Sequence, residues 1–511
     1  MSPESGALAA STTQDSRLAT RDYAPRRIYA VTGVPPEVQA YALAKYSRSA
    51  QGMLESIQEL SEQKAEEFLN TFYFQYGHRS IADLAHLVFG LEQISILAAI
   101  AVVDEPVWDG QERSTRYQPF RKTGWHLPDE VAGTSAEAVF EEAAESLFGA
   151  YHELSARLLE ALVQTVPRPE SRPDPAYRRT LRARAFDVAR GLLPLATHTS
   201  VGQVVSARVL ERQIARLLGS PHAEVRAVGR ELKAACQRPP EAPLGSGDQS
   251  SPAAPTLVKY ADASGYPSAA AREVAEAAGE VLSAAGPPDR SRLVDLVEPA
   301  ADPLEEIVAT LLFRHDRAGH SYRQCLAAVS DLSRPRKEEV FAASLQARGS
   351  HDDLLREHQA GYALVFDVLV DLGSFRDLHR HRRCVQVQQP LTWEHGFLPP
   401  DEVVPALDSE LAQLYCSALE RAATAAEQVR GEVGREPADY LLPMAYRTRC
   451  LFKMDWAQAA YIIEQRTATA GHFSYRRVAW EMYQALRARH PALAAPIRAT
   501  DPESSLDLLH R

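Results

Sequence analysis

The chain has 511 residues, 45% of them hydrophobic and 24% charged, with a formal net charge of −11. So apolar a chain can bury a large core, which excludes disorder throughout; at about 100–200 residues per domain it holds two large domains or three smaller ones. The acidic balance excludes a wholesale nucleic-acid coat, which needs many Lys and Arg against phosphates, and leaves open a small anion held by a local Arg cluster.

No apolar run reaches the ~18–20 residues that cross a bilayer, and residues 1–25 carry no contiguous apolar signal region. The expectation is a cytoplasmic protein without membrane contact. Cys236, Cys325, Cys384, Cys416 and Cys450 are scattered, with no C-x-x-C pair. This argues against a disulfide framework and a zinc ribbon, and suits a reducing compartment.

In chain order, residues 1–25 read as a disordered tail and 26–237 as a first domain, with a surface loop at Pro167–Pro175. The Pro/Gly/Ser-rich stretch 238–256 reads as a solvated linker. A second domain is expected over 257–495 and a short tail over 496–511. Within the first domain, Gly77-His78-Arg79-Ser80 and Asp83 precede an apolar run, Leu87–Val103, that reads as a buried helix with Ser80 as its N-cap. His78 and Ser80 could face an anion at a helix start, or belong to an ordinary capped helix with a surface His. Gly110 to Gln118 follows, reading GQERSTRYQ. In an extended segment Ser114 and Arg116 share a side. A hydroxyl beside a guanidinium suits a phosphate monoester, and Glu112 could accept from a sugar hydroxyl; a solvated loop with a local ion pair is the alternative. Ser200 and Val201 read as strand, and Val209, Leu210, Ile214, Leu217 and Leu218 as one helix face ended by Gly219.

The second domain opens its chemistry with His379-Arg380-His381-Arg382-Arg383, after the apolar stretch Ala363–Leu372. Five adjacent basic groups need solvent or an anion such as pyrophosphate, or mark the cationic end of a helix. Arg447–Met454 reads as strand. Trp456, Ala460 and Ile463 mark a helix that ends with Arg466, and Val478, Met482 and Leu486 a last one. An Arg at a helix end could hold a polarised carbonyl or tie two helices together. Two tripeptides recur in order: Leu87-Val88-Phe89 as Leu364-Val365-Phe366, 277 residues on, and Leu192-Leu193-Pro194 as Leu441-Leu442-Pro443, 249 residues on. Two ordered pairs in similar contexts favour an internal duplication. Each half reads as α/β (of the α+β type), with helices packed on a small sheet.

These segments resemble the flavin-dependent thymidylate synthases, whose signature is Arg-His-Arg, seven residues, Ser, and a further Arg two residues on. GHRSIAD and QERSTRYQ resemble that family in the first half, where Asp104-Glu105-Pro106 replaces Arg-His-Arg. In the second half Arg380-His381-Arg382 is intact, but Pro390 and Thr392 stand at the Ser and Arg positions. ARGLLP, with Arg190, resembles the family's R-x-x-L-P strand entry, where the second half has Asp439; SARVLE, with Arg208, resembles its N-A-R helix start. The family's uracil-contacting Arg falls on Arg466 and, in the first half, on Leu217.

The resemblance implies two tandem domains of that fold, FAD as cofactor, and reductive methylation of dUMP to dTMP with methylenetetrahydrofolate and NADPH as co-substrates. It implies Arg466 and Ser114 as catalytic positions. Flavin contacts fall on His78, Ser80, Arg208, Arg380, His381 and Arg382, and nucleotide contacts on Glu112, Ser114, Arg116 and Arg190. No metal is implied. Family members are tetramers with sites between subunits, so a fused duplicate would imitate them as a homodimer, each half supplying what the other has lost. The alternatives are a catalytically inactive flavin- or nucleotide-binding duplicate, or methylation of another pyrimidine nucleotide.

Overall fold

The computed structural model describes residues 36–46, 79–120, 124–239, 252–258, 261–263, 290–297, 302–315, 322–346, 358, 363–399, 409–503 and 508–509. Helices pack on two small antiparallel sheets, one in each half, which makes the chain an α/β protein of two tandem units. In the first half β1 (His86–Ser95), β2 (Asp109–Glu112) and β3 (His198–Ser206) lie in the order β1-β3-β2. In the second half β4 (Val294–Val297), β5 (Leu364–Asp371), β6 (Val385–Gln388) and β7 (Arg447–Met454) lie in the order β4-β5-β7-β6.

The duplication is visible in the register. Leu87 faces Val205 across β1 and β3 as Leu364 faces Met454 across β5 and β7. The spacing between copies drops from 277 residues (Leu87 to Leu364) to 276 (Ser95 to Asp371) because β1 is bulged between Glu92 and Ile94, with Gln93 at φ 54°. A bulge adds one residue to one strand of a pair, which accounts for the difference. Each of these long strands then runs directly into a helix through a capping side chain. Ser95 and Asp371 accept from Ala98 and Ser374 amides, and Ser206 and Asp455 from Val209 and Gln458 amides.

Two local expectations need correction. The run Leu87–Val103 is not one helix: its first part is β1, and the helix is Ile96–Val103, capped by Ser95. Leu87 and Leu91 point into the core while Val88 and Gly90 point out, and this alternation is that of a strand. Ser80 lies within a short 3-10 turn, Arg79–Leu84, ahead of β1 and not at the start of the helix Ile96–Val103. The linker also ends differently from its composition. Ala254, Leu257 and Val258 are buried, and Glu37 accepts from the Thr256 and Leu257 amides at 2.9 and 2.7 Å, so this end is docked rather than solvated.

The halves are joined through the second repeated tripeptide. Leu195 N–H donates to Leu442 carbonyl and Met444 N–H to Leu193 carbonyl, at 2.9 and 3.0 Å; Ala196 donates to Tyr440 and Ala445 to Gly191, at 2.7 and 2.8 Å. The two members of each pair are related by the same 249-residue spacing (Leu195 to Met444, Ala196 to Ala445), so the seam is a pseudo-two-fold exchange of the kind an isologous dimer makes. Around it the helices Ala136–Thr165 and Ser409–Val433 pack together, and their buried Tyr151 and Tyr415 share one core with Leu193, Leu442 and Ala445. A second core lies under β4–β7, with Phe366, Phe452, Trp456 and Tyr475. No helix among the described residues is long and apolar enough to cross a membrane.

A side chain at Gly191 would test the seam. A Cβ there falls 3.0 Å from Tyr415 Oη and 3.2 Å from the Ala445 Cβ. Gly191→Val is expected to destabilise by about 1–3 kcal/mol, the usual cost of overpacking, read as a lower urea midpoint at unchanged slope. An unshifted midpoint would show that the halves are not held at this contact.

Candidate functional site

The seam brings together charged residues from distant parts of the chain. After β2 the backbone turns at Thr115–Tyr117, with the Arg116 amide donating to Ser114 Oγ at 3.2 Å. The segment is therefore not extended, and Ser114 and Arg116 are not paired as neighbours on one strand face. The turn sends the Arg116 side chain inward. Its Nε and Nη2 donate to the two Asp187 carboxylate oxygens at 2.7 and 3.3 Å, and its Nη1 donates to the Tyr475 hydroxyl at 2.9 Å. Arg466, at the end of the helix Trp456–Thr467, lies over the same Tyr475 ring, with its guanidinium carbon 5.3 Å from the centroid against 5.5 Å for Arg116. Tyr475 is thus flanked by one guanidinium from each half, at cation–π distance.

Arg466 Nε donates to His381 Nε2 at 2.7 Å. Burial, then the charge of Arg466, pushes the His381 pKa down to about 3, so the ring is neutral and accepts at Nε2. Arg190 donates from both terminal nitrogens to Asp377 Oδ2 at 3.2 Å. Burial alone would raise the Asp377 carboxyl, but Arg190, then Arg116 and Arg466, hold it below the usual carboxylate range. His472 is held well below its ordinary value by burial, then by Arg190 and Arg116; its Nε2 lies 2.8 Å from the Asp187 carbonyl. Asp371 caps the helix Leu372–Leu378 and accepts from the Ser474 hydroxyl. Glu112 is ion-paired with Arg376 and so is already engaged by protein.

The expected flavin contacts divide. His78 and the Ser80 side chain lie outside the described residues. Arg380 is exposed, while the Arg382 guanidinium stacks over Trp108 at 4.5 Å, with a buried Nε that makes no hydrogen bond. Burial, then the neighbouring Arg380, lowers the Arg382 pKa. An orphaned donor beside a second like charge is a donor set that fits a diphosphate. Arg208 pairs with Asp83 at 2.8 Å on a groove of about 1130 Å³ that Val107, Trp108, Val204 and Arg212 also line. That volume and its aromatic and apolar walls accommodate a flavin-sized ligand.

The duplication predicts a second seam of the same kind, and there the charges have changed. Glu105 stands where His381 does and is held by Arg212 and Arg216 at 2.9 and 3.0 Å. Asp439 stands where Arg190 does and lies 3.3 Å from His222. Thr392 stands where Arg116 does. One seam keeps the cations and the other is neutralised by its own pairs.

Sequence reading missed Asp187, Asp377, Asp371 and Tyr475. His222 and His472, which begin matched helices 250 residues apart, were the available pointer to the segment that holds Tyr475. The carboxylates carried no signal, because each is meaningful through a partner far away in the chain.

The family model described as thymidylate synthase complementing protein matches residues 30–239 and 320–492, which covers most of both halves, and the chain belongs to that family. Among curated proteins it is 27% identical to a UPF0159 protein of Chlamydia muridarum over 93% of this chain and 92% of that one. It is also 27% identical to a UPF0159 protein of Thermoplasma acidophilum over 90% and 94%. A flavin-dependent thymidylate synthase of Clostridium tetani is 25% identical, over 34% of this chain and 67% of that one.

Two outcomes follow from this geometry. Because one seam keeps its cations, an anion that binds at this seam should saturate at one equivalent per chain; calorimetric stoichiometry near two would contradict the neutralised second seam. Because the His381 pKa is depressed, the unfolded chain takes up that proton from about pH 6.5 downward while the folded chain stays neutral to about pH 3, so folding loses stability as pH falls across that window. His381→Gln should reduce the loss of urea midpoint between about pH 7 and about pH 5, and an unchanged loss would contradict a neutral His381.

Proposed function

We propose that this protein carries out flavin-dependent thymidylate synthase chemistry at the cationic seam. In this reading dUMP is reductively methylated to dTMP, methylenetetrahydrofolate gives the carbon, and NADPH is the reductant. The observation that carries the reading is the approach of Arg116 and Arg466, from opposite halves, to one aromatic ring. A site of this kind is incomplete in either half alone, and the split signature is reunited across the seam.

Arg116 and Arg190 would meet the nucleotide phosphate, Arg116 from the turn after β2 and Arg190 from the turn ahead of β3, with Asp187 and Asp377 as their partners in the empty site. Arg466 would draw electron density from a uracil carbonyl, with neutral His381 fixing the guanidinium through its Nε2. Arg380, Arg382 and Arg208 would hold FAD, which when bound supplies electrons taken from NADPH. The protein's own share is positioning and electrostatic activation of the pyrimidine; no cysteine nucleophile is used. Exposed Val88 and Val204 on one face of the first sheet support a homodimer.

One observation favours a second reading, a duplicate that binds these ligands without turnover: Asp187 and Asp377 already neutralise Arg116 and Arg190. Purified protein should be yellow, oxidise NADPH when dUMP and methylenetetrahydrofolate are present, and form product heavier by one methyl group. Flavin with no product would favour the second reading, and protein that cannot be loaded with flavin would defeat both. Losing a charge-assisted hydrogen bond costs about 1.5–3 kcal/mol, or about 10–100-fold in affinity. Arg116→Ala should therefore weaken dUMP by about that factor and spare flavin, and Arg382→Ala should do the reverse. If both variants lost the same ligand, the division of roles would be wrong.

A further inference from the structure

Arg116 has few donors left for a ligand. A guanidinium carries five N–H groups; in Arg116 two meet Asp187, one meets the Tyr475 hydroxyl, and one meets the Ala470 carbonyl at 3.3 Å. The Asp187 contact is the forked, two-oxygen geometry in which arginine also takes a phosphate. Both side chains are shielded, Arg116 at 10% and Asp187 at 2% exposure. Beside Asp187, a small pocket of about 10 Å³ that Arg190, Asp371 and His472 also line has room for about one water. A phosphate dianion cannot enter the fork with the carboxylate still in it, because two anions would then be buried in contact.

The other half gives an independent comparison. Glu436 is the acid 249 residues after Asp187, at the same place ahead of the repeated Leu-Leu-Pro, and it is exposed, while Thr392 stands where Arg116 does. Of these two aligned acids, the one drawn into the interior is in the half that has the arginine. Arg184 Nη1 lies 3.8 Å from Asp187 Oδ2, a second cation beside the carboxylate.

Building on the nucleotide reading above, we propose that Asp187 is a built-in competitor for the phosphate of the ligand: its carboxylate occupies the Arg116 fork in the empty site, is displaced toward Arg184 when a phosphate binds, and sets how tightly phosphate-bearing ligands are held. The device keeps a buried guanidinium paired between ligands at the expense of affinity, and it excludes weak, abundant anions from a site meant for a nucleotide.

The test uses the full chain and inorganic phosphate, followed by calorimetry and by thermal shift, with dUMP measured in parallel. Asp187→Asn keeps the shape and removes the charge. It should melt lower than the wild type without phosphate, since the buried Arg116 loses its counter-charge, and should bind phosphate at least about tenfold more tightly than the wild type. Adding Arg116→Met to Asp187→Asn removes the unpaired cation, so the double variant should fold and lose the gain. Unchanged or weaker phosphate binding by Asp187→Asn, or a gain that survives in the double variant, would overturn the proposal. Should Asp187→Asn fold poorly alone, rescue by phosphate supports the proposal and failure of phosphate to rescue it counts against it. A gain for phosphate with no dUMP binding by either protein would leave Asp187 as competitor and remove the nucleotide reading; dUMP binding by the wild type with no gain for either ligand in Asp187→Asn would do the opposite.

Discussion

The structure depends on four backbone hydrogen bonds exchanged between two copies of one short segment, 191–196 and 440–445, that holds the repeated tripeptide. Leu193 and Leu442 accept from the far half at the point where each chain segment enters its long strand, so the seam fixes where β3 and β7 start. Of the two guanidinium groups on Tyr475, Arg466 ends the helix that β7 feeds and Arg116 follows β2, which pairs with β3. A separate dimer must find such a contact by collision; here the linker makes it within one chain, at high effective concentration.

Fusion changes what each half is required to keep. In a symmetric assembly every copy must carry a complete set of site residues, because one sequence serves all positions. Once duplicated, the copies can diverge, and the pattern of divergence is electrostatic. At one seam Arg116, Arg190 and Arg466 gather with His381 kept neutral by burial and by Arg466. At the other, Glu105 and Asp439 stand in the places of His381 and Arg190, each with a protein partner. An abandoned anion site cannot be left as bare buried cations, since an unpaired buried charge costs several kcal/mol. Replacing them by self-paired residues keeps the packing while removing the ligand chemistry.

The retained seam satisfies the same rule by another route. Burial by itself would weaken the proton affinity of Arg116, and Asp187, by charge and hydrogen bond, more than offsets this and raises it. Arg190 is paired with Asp377 in the same interior. A site that gathers this much positive charge in a dry interior stays folded without ligand because acids from the neighbouring helices are already in contact.

The amino-acid sequence by itself determined the repeat, the Arg447–Met454 strand and the helices at Val209–Leu218, Trp456–Ile463 and Val478–Leu486, because those patterns are local: period, caps and tripeptides are read over a few residues. It also supplied Arg116, His381 and Arg466 as residues of interest, through a motif whose parts are contiguous in the chain. It failed at Leu87–Val103, where an apolar run suits a buried helix or a strand equally and the choice was made by pairing with β3, more than a hundred residues on. Tertiary structure alone decided that Arg116 turns inward, that Glu112 is taken by Arg376, and that Asp187, Asp377 and Tyr475 belong to the site. Ion pairs and ring contacts between residues 71 to 359 positions apart leave no periodic trace, since their partners become neighbours only after the two halves close on each other.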